Sequence, residues 1–295
     1  MSTETDSATE IEMDEAGPFQ EFYEAFSENR IAVFGLGLLA FLIVITLLAD
    51  FIAPYSPTAQ NYDAVLEGPS MDHPMGTDEL GRDIFSRVLF GYRIIFSITV
   101  GGVMMAFTMG TLLGLAAGYY GGWLDEFLMR GVDVLMSFPS LILALALIAA
   151  IGPSRWGIAL VLGIAYTPIF ARVARSESVS LSNEAFIRSL EVRGVSTPRI
   201  LVAHMFPNVL GPLIVTVTLQ LAFGILTTAT LSFLGVGVQP PSPSLGLMLS
   251  DGKDIIDRAW WMSLFPGIAI MLPVIAFNTI GDGLRDTFDP KQVRN

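Results

Sequence analysis

Residues 31–53 read IAVFGLGLLAFLIVITLLADFIA, and this stretch decides the class of fold. It runs for 23 residues with a single charge, Asp50, near its end. At about 1.5 Å per helical residue it exceeds the roughly 30 Å hydrocarbon core of a bilayer. No basic segment precedes it and no small-residue cleavage site follows. It therefore reads as a retained transmembrane helix rather than a removed signal peptide.

Five more apolar runs follow, at about 94–119, 132–152, 156–174, 209–236 and 262–284. Their apolar residues surround the whole helix, unlike those of a soluble amphipathic helix. Pro139, Pro168, Pro212, Pro266 and Pro273 lie inside these runs. A membrane bundle tolerates them, because neighbouring helices and hydroxyls satisfy the freed carbonyls. The expectation is an all-α polytopic bundle of six transmembrane helices. Composition agrees: 52% of the 295 residues are hydrophobic and only 15% charged, against about 25% in soluble domains.

Charge is uneven along the chain. Residues 1–29 carry nine acids and no Lys or Arg, whereas the remainder has 19 acids against 16 bases. The net charge of −12 thus belongs mostly to a tail that reads as disordered and solvated. With no basic face to neutralise phosphates, nucleic acid is excluded as a partner. The absence of cysteine excludes disulfides, thiolate metal sites and a thiol nucleophile. His73 and His204 stand far apart, so no histidine metal site is expected.

Six spans put both termini on one side. With the N-terminus inside, inner segments hold ten bases and outer segments six, which favours cytoplasmic termini. The expected divisions are a tail over 1–29, a first span over 30–53 and an extracytoplasmic loop with a short amphipathic helix over 54–93. A five-span core over 94–286 contains a cytoplasmic loop at 175–207, and a closing tail covers 287–295. Thr77 or Asp78 is the expected cap of the short helix, which runs through Ile84, Phe85, Val88 and Leu89.

The cytoplasmic loop is the densest in signals. A helix is expected over 181–193, capped by Ser180 or Ser182 and stopped by Gly194. Ser196-Thr197-Pro198 opens a second helix. Two short helices at a glycine corner form a more rigid protrusion than a linker needs, and point to a docking element.

Several chemistries are missing. There is no G-x-x-x-x-G-K-[ST] phosphate loop, no H-E-x-x-H and no G-x-S-x-G. Gly281-Asp282-Gly283 resembles an intramembrane-protease motif, but the only other acids in the spans, Asp50 and Asp133, sit near span ends.

A set of ordered segments resembles the C-type subunit of the dipeptide/oligopeptide/nickel ABC permease family. They are His73-Pro74-Met75-Gly76-Thr77-Asp78, Gly81-Arg82-Asp83, Ser86-Arg87, Gly91-Tyr92-Arg93, Gly118 through Asp125, Met129-Arg130, Asp133 and Phe138-Pro139. His204-Met205-Phe206-Pro207-Asn208, Leu231-Ser232-Phe233-Leu234-Gly235, Gly281 through Asp286 and Asp289-Pro290 complete it, over about residues 30–290. The resemblance implies a type I importer permease fold in the cell (plasma or inner) membrane. It implies partners: a second homologous permease, two cytoplasmic ATPase subunits and an extracytoplasmic solute-binding protein. ATP and Mg would be bound on the ATPases, with no cofactor or metal on this chain and no catalysis by it. Di- or oligopeptides are the expected substrates, with nickel or oligosaccharides as the alternatives within the family. A secondary transporter is the alternative outside it.

The family carries Glu-Ala-Ala, three residues and Gly in its coupling loop. Here Gly194 stays, but Arg188-Ser189-Leu190 replaces the triplet. Glu184 and Glu191 fall four before and three after Arg188, on one expected helical face, and are candidates for the missing carboxylate. Glu184, Arg188, Glu191 and Gly194 are thus the expected ATPase-coupling residues. Gly110, Gly114 and Gly118 form a small-residue stripe for helix packing, within the chain or against a second permease. Thr216, Gln220, Thr227 and Thr230, with Asn278 on the last span, are candidates to line the translocation path; hydroxyls bonded to backbone carbonyls are the plainer account. Asp125, Arg130 and Asp133 are expected to form an inner-face ion-pair network.

Overall fold

The computed structural model of the chain describes residues 26–288. Of the two expected tails, only 26–29 and 287–288 fall among the described residues. The rest of both lies outside them.

The regular structure described is helical, apart from one isolated bridge between Thr77 and Asp83. The helices are α1 (Arg30–Leu47), α2 (Ala49–Ile52), α3 (Ile84–Tyr120), α4 (Gly122–Met136), α5 (Ser140–Ile151) and α6 (Arg155–Ser182). There follow α7 (Ala185–Val192), α8 (Thr197–Arg199), a π-helical segment (Ile200–Met205), α9 (Phe206–Phe233), α10 (Leu245–Lys253) and α11 (Trp261–Phe288). Among the described residues, five runs are long and apolar enough to cross a membrane: α1, α3, α6, Thr197–Phe233 and α11.

The third expected span, 132–152, is not one helix. α4 and α5 meet at a 91° bend. Pro139 has no N–H to donate and disfavours helical geometry at Phe138, so the chain turns at 137–139. α5 has 12 residues and reaches about 18 Å, so a sixth crossing requires the broken pair together.

The second span is longer than expected. Instead of a short helix followed by a span at 94–119, one 37-residue helix runs from Ile84. Its cap is neither Thr77 nor Asp78. The Asp83 carboxylate accepts the Ser86 N–H at 2.7 Å, while Asp78 accepts from the Leu80 and Arg82 N–H groups. α6 continues through Pro168 to Ser182, beyond the expected end at 174.

α3 and α6 pack closely along the glycine stripe. A β-carbon on Gly114 would fall 2.3 Å from the Ala171 carbonyl oxygen. One on Gly110 would fall 2.5 Å from the Thr167 oxygen, and one on Gly118 2.5 Å from the Ser178 β-carbon. Backbones this close exclude any side chain, so the stripe packs within the chain. The Ser178 hydroxyl adds a bond to the Leu115 carbonyl at 3.0 Å.

α1 leans on α11. Gly35 abuts Thr279, and Gly283 abuts Ala32. Asn29 caps α1 by accepting from the Ile31 and Ala32 N–H groups, and its amide donates to Asp286 at 3.3 Å. The first span therefore starts beside the end of the last. The face holding both is called the terminal face here, and the opposite one the far face. At the far end Arg93 donates to the Thr46 and Leu47 carbonyls and pairs with Asp50 at 2.7 Å. It satisfies carbonyls that the helix end leaves free. Phe34 and Phe41 of α1 stay exposed, as suits a helix bathed in lipid.

Candidate functional site

α7 stands on the terminal face. It begins at Ala185 rather than at 181, with Glu184 in the cap position and no side-chain capping bond. The expected caps act elsewhere or not at all; Ser182 donates back to the Val179 carbonyl. Because Glu184 has an extended backbone (ψ 143°) it lies outside the helix. It does not share a helical face with Glu191 as its spacing implied. Gly194 ends α7 in the left-handed region, φ +73°. The Val195 N–H donates to the Leu190 carbonyl and the Gly194 N–H to that of Glu191, closing a Schellman motif.

The two candidate carboxylates differ in company. Glu191 accepts a 2.8 Å bond from the Tyr119 hydroxyl at the end of α3. Glu184 is exposed. Arg188 is exposed as well, with one 3.3 Å bond to Asn183. Ile187 is fully buried and anchors the helix, while Phe186 and Val192 are exposed.

Beyond Gly194 there is no second free-standing helix. α8 passes through the π segment straight into α9. Pro207 cannot donate to the Ala203 carbonyl, and the Phe206 N–H reaches back five residues to Leu201. The Asn208 side chain takes the His204 carbonyl at 2.6 Å. The Pro207-Asn208 pair thus shapes the wide turn.

On α9 the polar candidates split. Thr216 and Thr230 lie half-buried beside exposed Phe223 and Leu226, on the side of the helix that the other described residues leave largely uncovered. Each hydroxyl donates to the carbonyl four residues back. Thr227 pairs with the Tyr166 hydroxyl at 2.8 Å. Gln220 is buried, and Asn278 on α11 is half-buried. The five do not converge on one point. A cavity of about 690 Å³ opens between α6, α9 and α11, lined by Val173, Pro207, Gly211, Thr216, Leu219 and Arg285 among others.

The expected trio of Asp125, Arg130 and Asp133 is not a network. Asp125 pairs with Arg175 and Asp133 with Arg172, both on α6, whereas Arg130 pairs one turn back with Glu126. The α6 arginines escaped notice as partners because about 40 to 50 residues separate them from the acids.

The far face is built around Asp83 and Asp78. His73 Nδ1 lies 2.9 Å from Asp83, and Arg82 Nε lies 2.7 Å from Asp78. The Trp261 indole donates to the Thr77 carbonyl and crosses Gly76 closely enough to exclude a β-carbon. Asp83 three residues before Ser86, ahead of an apolar run, was a legible capping signal. In Gly281-Asp282-Gly283 the glycines face Thr218 and Ala32, and Asp282 is exposed. Asp50 and Asp133 are engaged by arginines. The motif is a packing device. Among the described residues no group of three or more histidine or carboxylate side chains is placed to hold a metal.

Known proteins resemble the chain over most of its length. Residues 110–294 match the family described as binding-protein-dependent transport system inner membrane component. Residues 17–69 match the N-terminal transmembrane domain of oligopeptide transport permease C. The dipeptide transport system permease protein DppC of Alkalihalophilus pseudofirmus is 42% identical over 93% of this chain and 90% of its own. DppC of Haemophilus influenzae is 39% identical over 93% and 95%. The glutathione transport system permease protein GsiD of Pectobacterium atrosepticum is 40% identical over 93% and 91%.

Proposed function

The chain belongs to the binding-protein-dependent inner-membrane transport components, and we propose that it is the C-type half of an ATP-driven importer of di- or oligopeptides. As a family member it is a multi-pass permease subunit with the type I importer fold. It is a transport component rather than an enzyme. The peptide substrate is supported by relatives named for dipeptide and glutathione transport that align over nearly the whole chain.

The proposed assembly adds a second homologous permease, two cytoplasmic ATPases that bind ATP and Mg, and an extracytoplasmic binding protein. The terminal face is proposed as the cytoplasmic one. The bases of its segments, among them Arg30, Arg130, Arg172, Arg175, Arg188, Arg193 and Arg199, support that orientation. α7 docks in a groove of the ATPase through Phe186, Arg188 and Val192, with Glu184 at the rim. The ATPases bind one state of the spans more tightly when loaded with ATP, and that difference shifts the bundle from inward-open to outward-open. Substrate then passes along the uncovered side of α9, by Thr230, Phe223 and Thr216, to the cavity on the terminal face.

The observation that carries this reading is α7 itself. It is a helix capped at Gly194, anchored by buried Ile187 and half-buried Leu190 and otherwise exposed, at the position that the resemblance implies for the coupling element. Purification of the tagged chain from its native membrane in mild detergent, followed by mass spectrometry, tests it. Phosphate-loop ATPases and a second six-span permease are expected. The chain alone, across several detergents and salt concentrations, would refute the assembly.

A further inference from the structure

We infer that Glu191 is a positioning residue that braces the coupling helix to α3 through Tyr119, and that it is not part of the surface offered to the ATPase. The inference rests on the proposed ATPase coupling and assigns a division of labour within it. α7 is lightly held. Ile187 is its one buried residue, with Leu190 half-buried. The helix's other side-chain bonds among the described residues are local: Arg188 to Asn183, and Ser189 to the Phe186 carbonyl. Among the described residues, the Tyr119–Glu191 bond is the polar tie from α7 to a membrane-spanning helix, across 72 positions of sequence.

Tyr119 is suited to that role. It lies in the last turn of α3, and its ring meets Tyr120 edge-on at 5.3 Å. α3 is itself locked to α6 by Gly110, Gly114 and Gly118, so a displacement delivered at Tyr119 moves two spans as one body. Glu184, outside the helix and exposed, is left as the carboxylate that faces a partner, beside the exposed Arg188. The substitution of Arg188 for the family's glutamate then gives the docking surface a positive centre, which an acidic ATPase groove would complement.

The test uses the co-purified assembly in proteoliposomes, with Tyr119→Phe, Glu191→Ala and the double variant. Tyr119→Phe removes one oxygen from a half-exposed ring and leaves the fold intact. ATPase association and hydrolysis should persist, while peptide carried per ATP falls about fivefold, the effect of one net hydrogen bond. The double variant should do no worse than either single one. Loss of ATPase association in Glu191→Ala would make Glu191 a docking residue and overturn the brace. An unchanged transport-to-hydrolysis ratio in all three would also overturn it, while leaving the importer reading intact. A wild-type chain that brings down no ATPase would remove that reading itself, and the brace with it.

Discussion

Arg175 holds Asp125 at both oxygens, with Nε 2.5 Å from Oδ1 and Nη2 2.6 Å from Oδ2. The two residues lie on α6 and α4, and Val132 is the one residue that α4 buries. A helix with so little apolar anchorage depends on its polar ties. Asp125→Asn should therefore loosen α4, read as faster hydrogen exchange of its amides. The Arg175 side chain is 38% exposed, so screening limits the cost to about 1 kcal/mol or less. Arg130→Ala, which breaks only the exposed pair with Glu126, should leave exchange unchanged.

The glycine stripe makes a sharper demand. Gly114→Ala places a methyl 2.3 Å from a backbone oxygen that cannot swing aside. Overpacking of this kind costs about 1–3 kcal/mol, and the thermal midpoint in detergent should fall accordingly. Gly131 of α4 has nothing within 4 Å of its would-be β-carbon. Gly131→Ala should be neutral or slightly stabilising, because alanine favours the helix by up to about 1 kcal/mol. Equal effects at both positions would contradict the packing account.

The chain has no cysteine, so each introduced thiol is unique. Thr216→Cys lies toward the terminal face of α9 and Thr230→Cys toward the far face, both on the uncovered side. In the assembly, a membrane-impermeant maleimide should label position 216 faster without nucleotide and position 230 faster with a nonhydrolysable ATP analogue. Ser232→Cys, at a buried position, should label slowly in both. Rates at 216 and 230 that ignore nucleotide would remove this side of α9 from the path.

At the docking surface, Glu184→Ala and Arg188→Glu should each weaken retention of the ATPase, with the charge reversal the more severe. The reading is the ATPase-to-permease ratio after purification at rising salt, where the wild type should persist longest. A ratio insensitive to both substitutions would take α7 out of the docking surface.

The membrane class and the apolar runs were legible because a bilayer demands about 20 apolar residues wherever a helix crosses. Direction was not. The run at 132–152 is apolar throughout, yet Pro139 turns it, and hydropathy carries no record of a bend. Helix lengths were underestimated where polar residues continue a helix beyond the apolar run, as with Arg87 and Arg93 at the start of α3 and Ser176 to Ser182 at the end of α6. The glycine stop at 194 was readable from local chemistry alone. The partners of Glu191, Asp125 and Asp133 were not, since spacing reveals neighbours on one helix and these bonds join different ones.

This permease is proposed to work in an ATP-driven peptide importer. The most direct measurement is uptake of labelled di- and tripeptides by proteoliposomes holding the co-purified assembly, with binding protein outside and ATP inside. Accumulation that requires both ATP and the binding protein is the predicted result. Uptake indifferent to both, and driven instead by an imposed ion gradient, would contradict it.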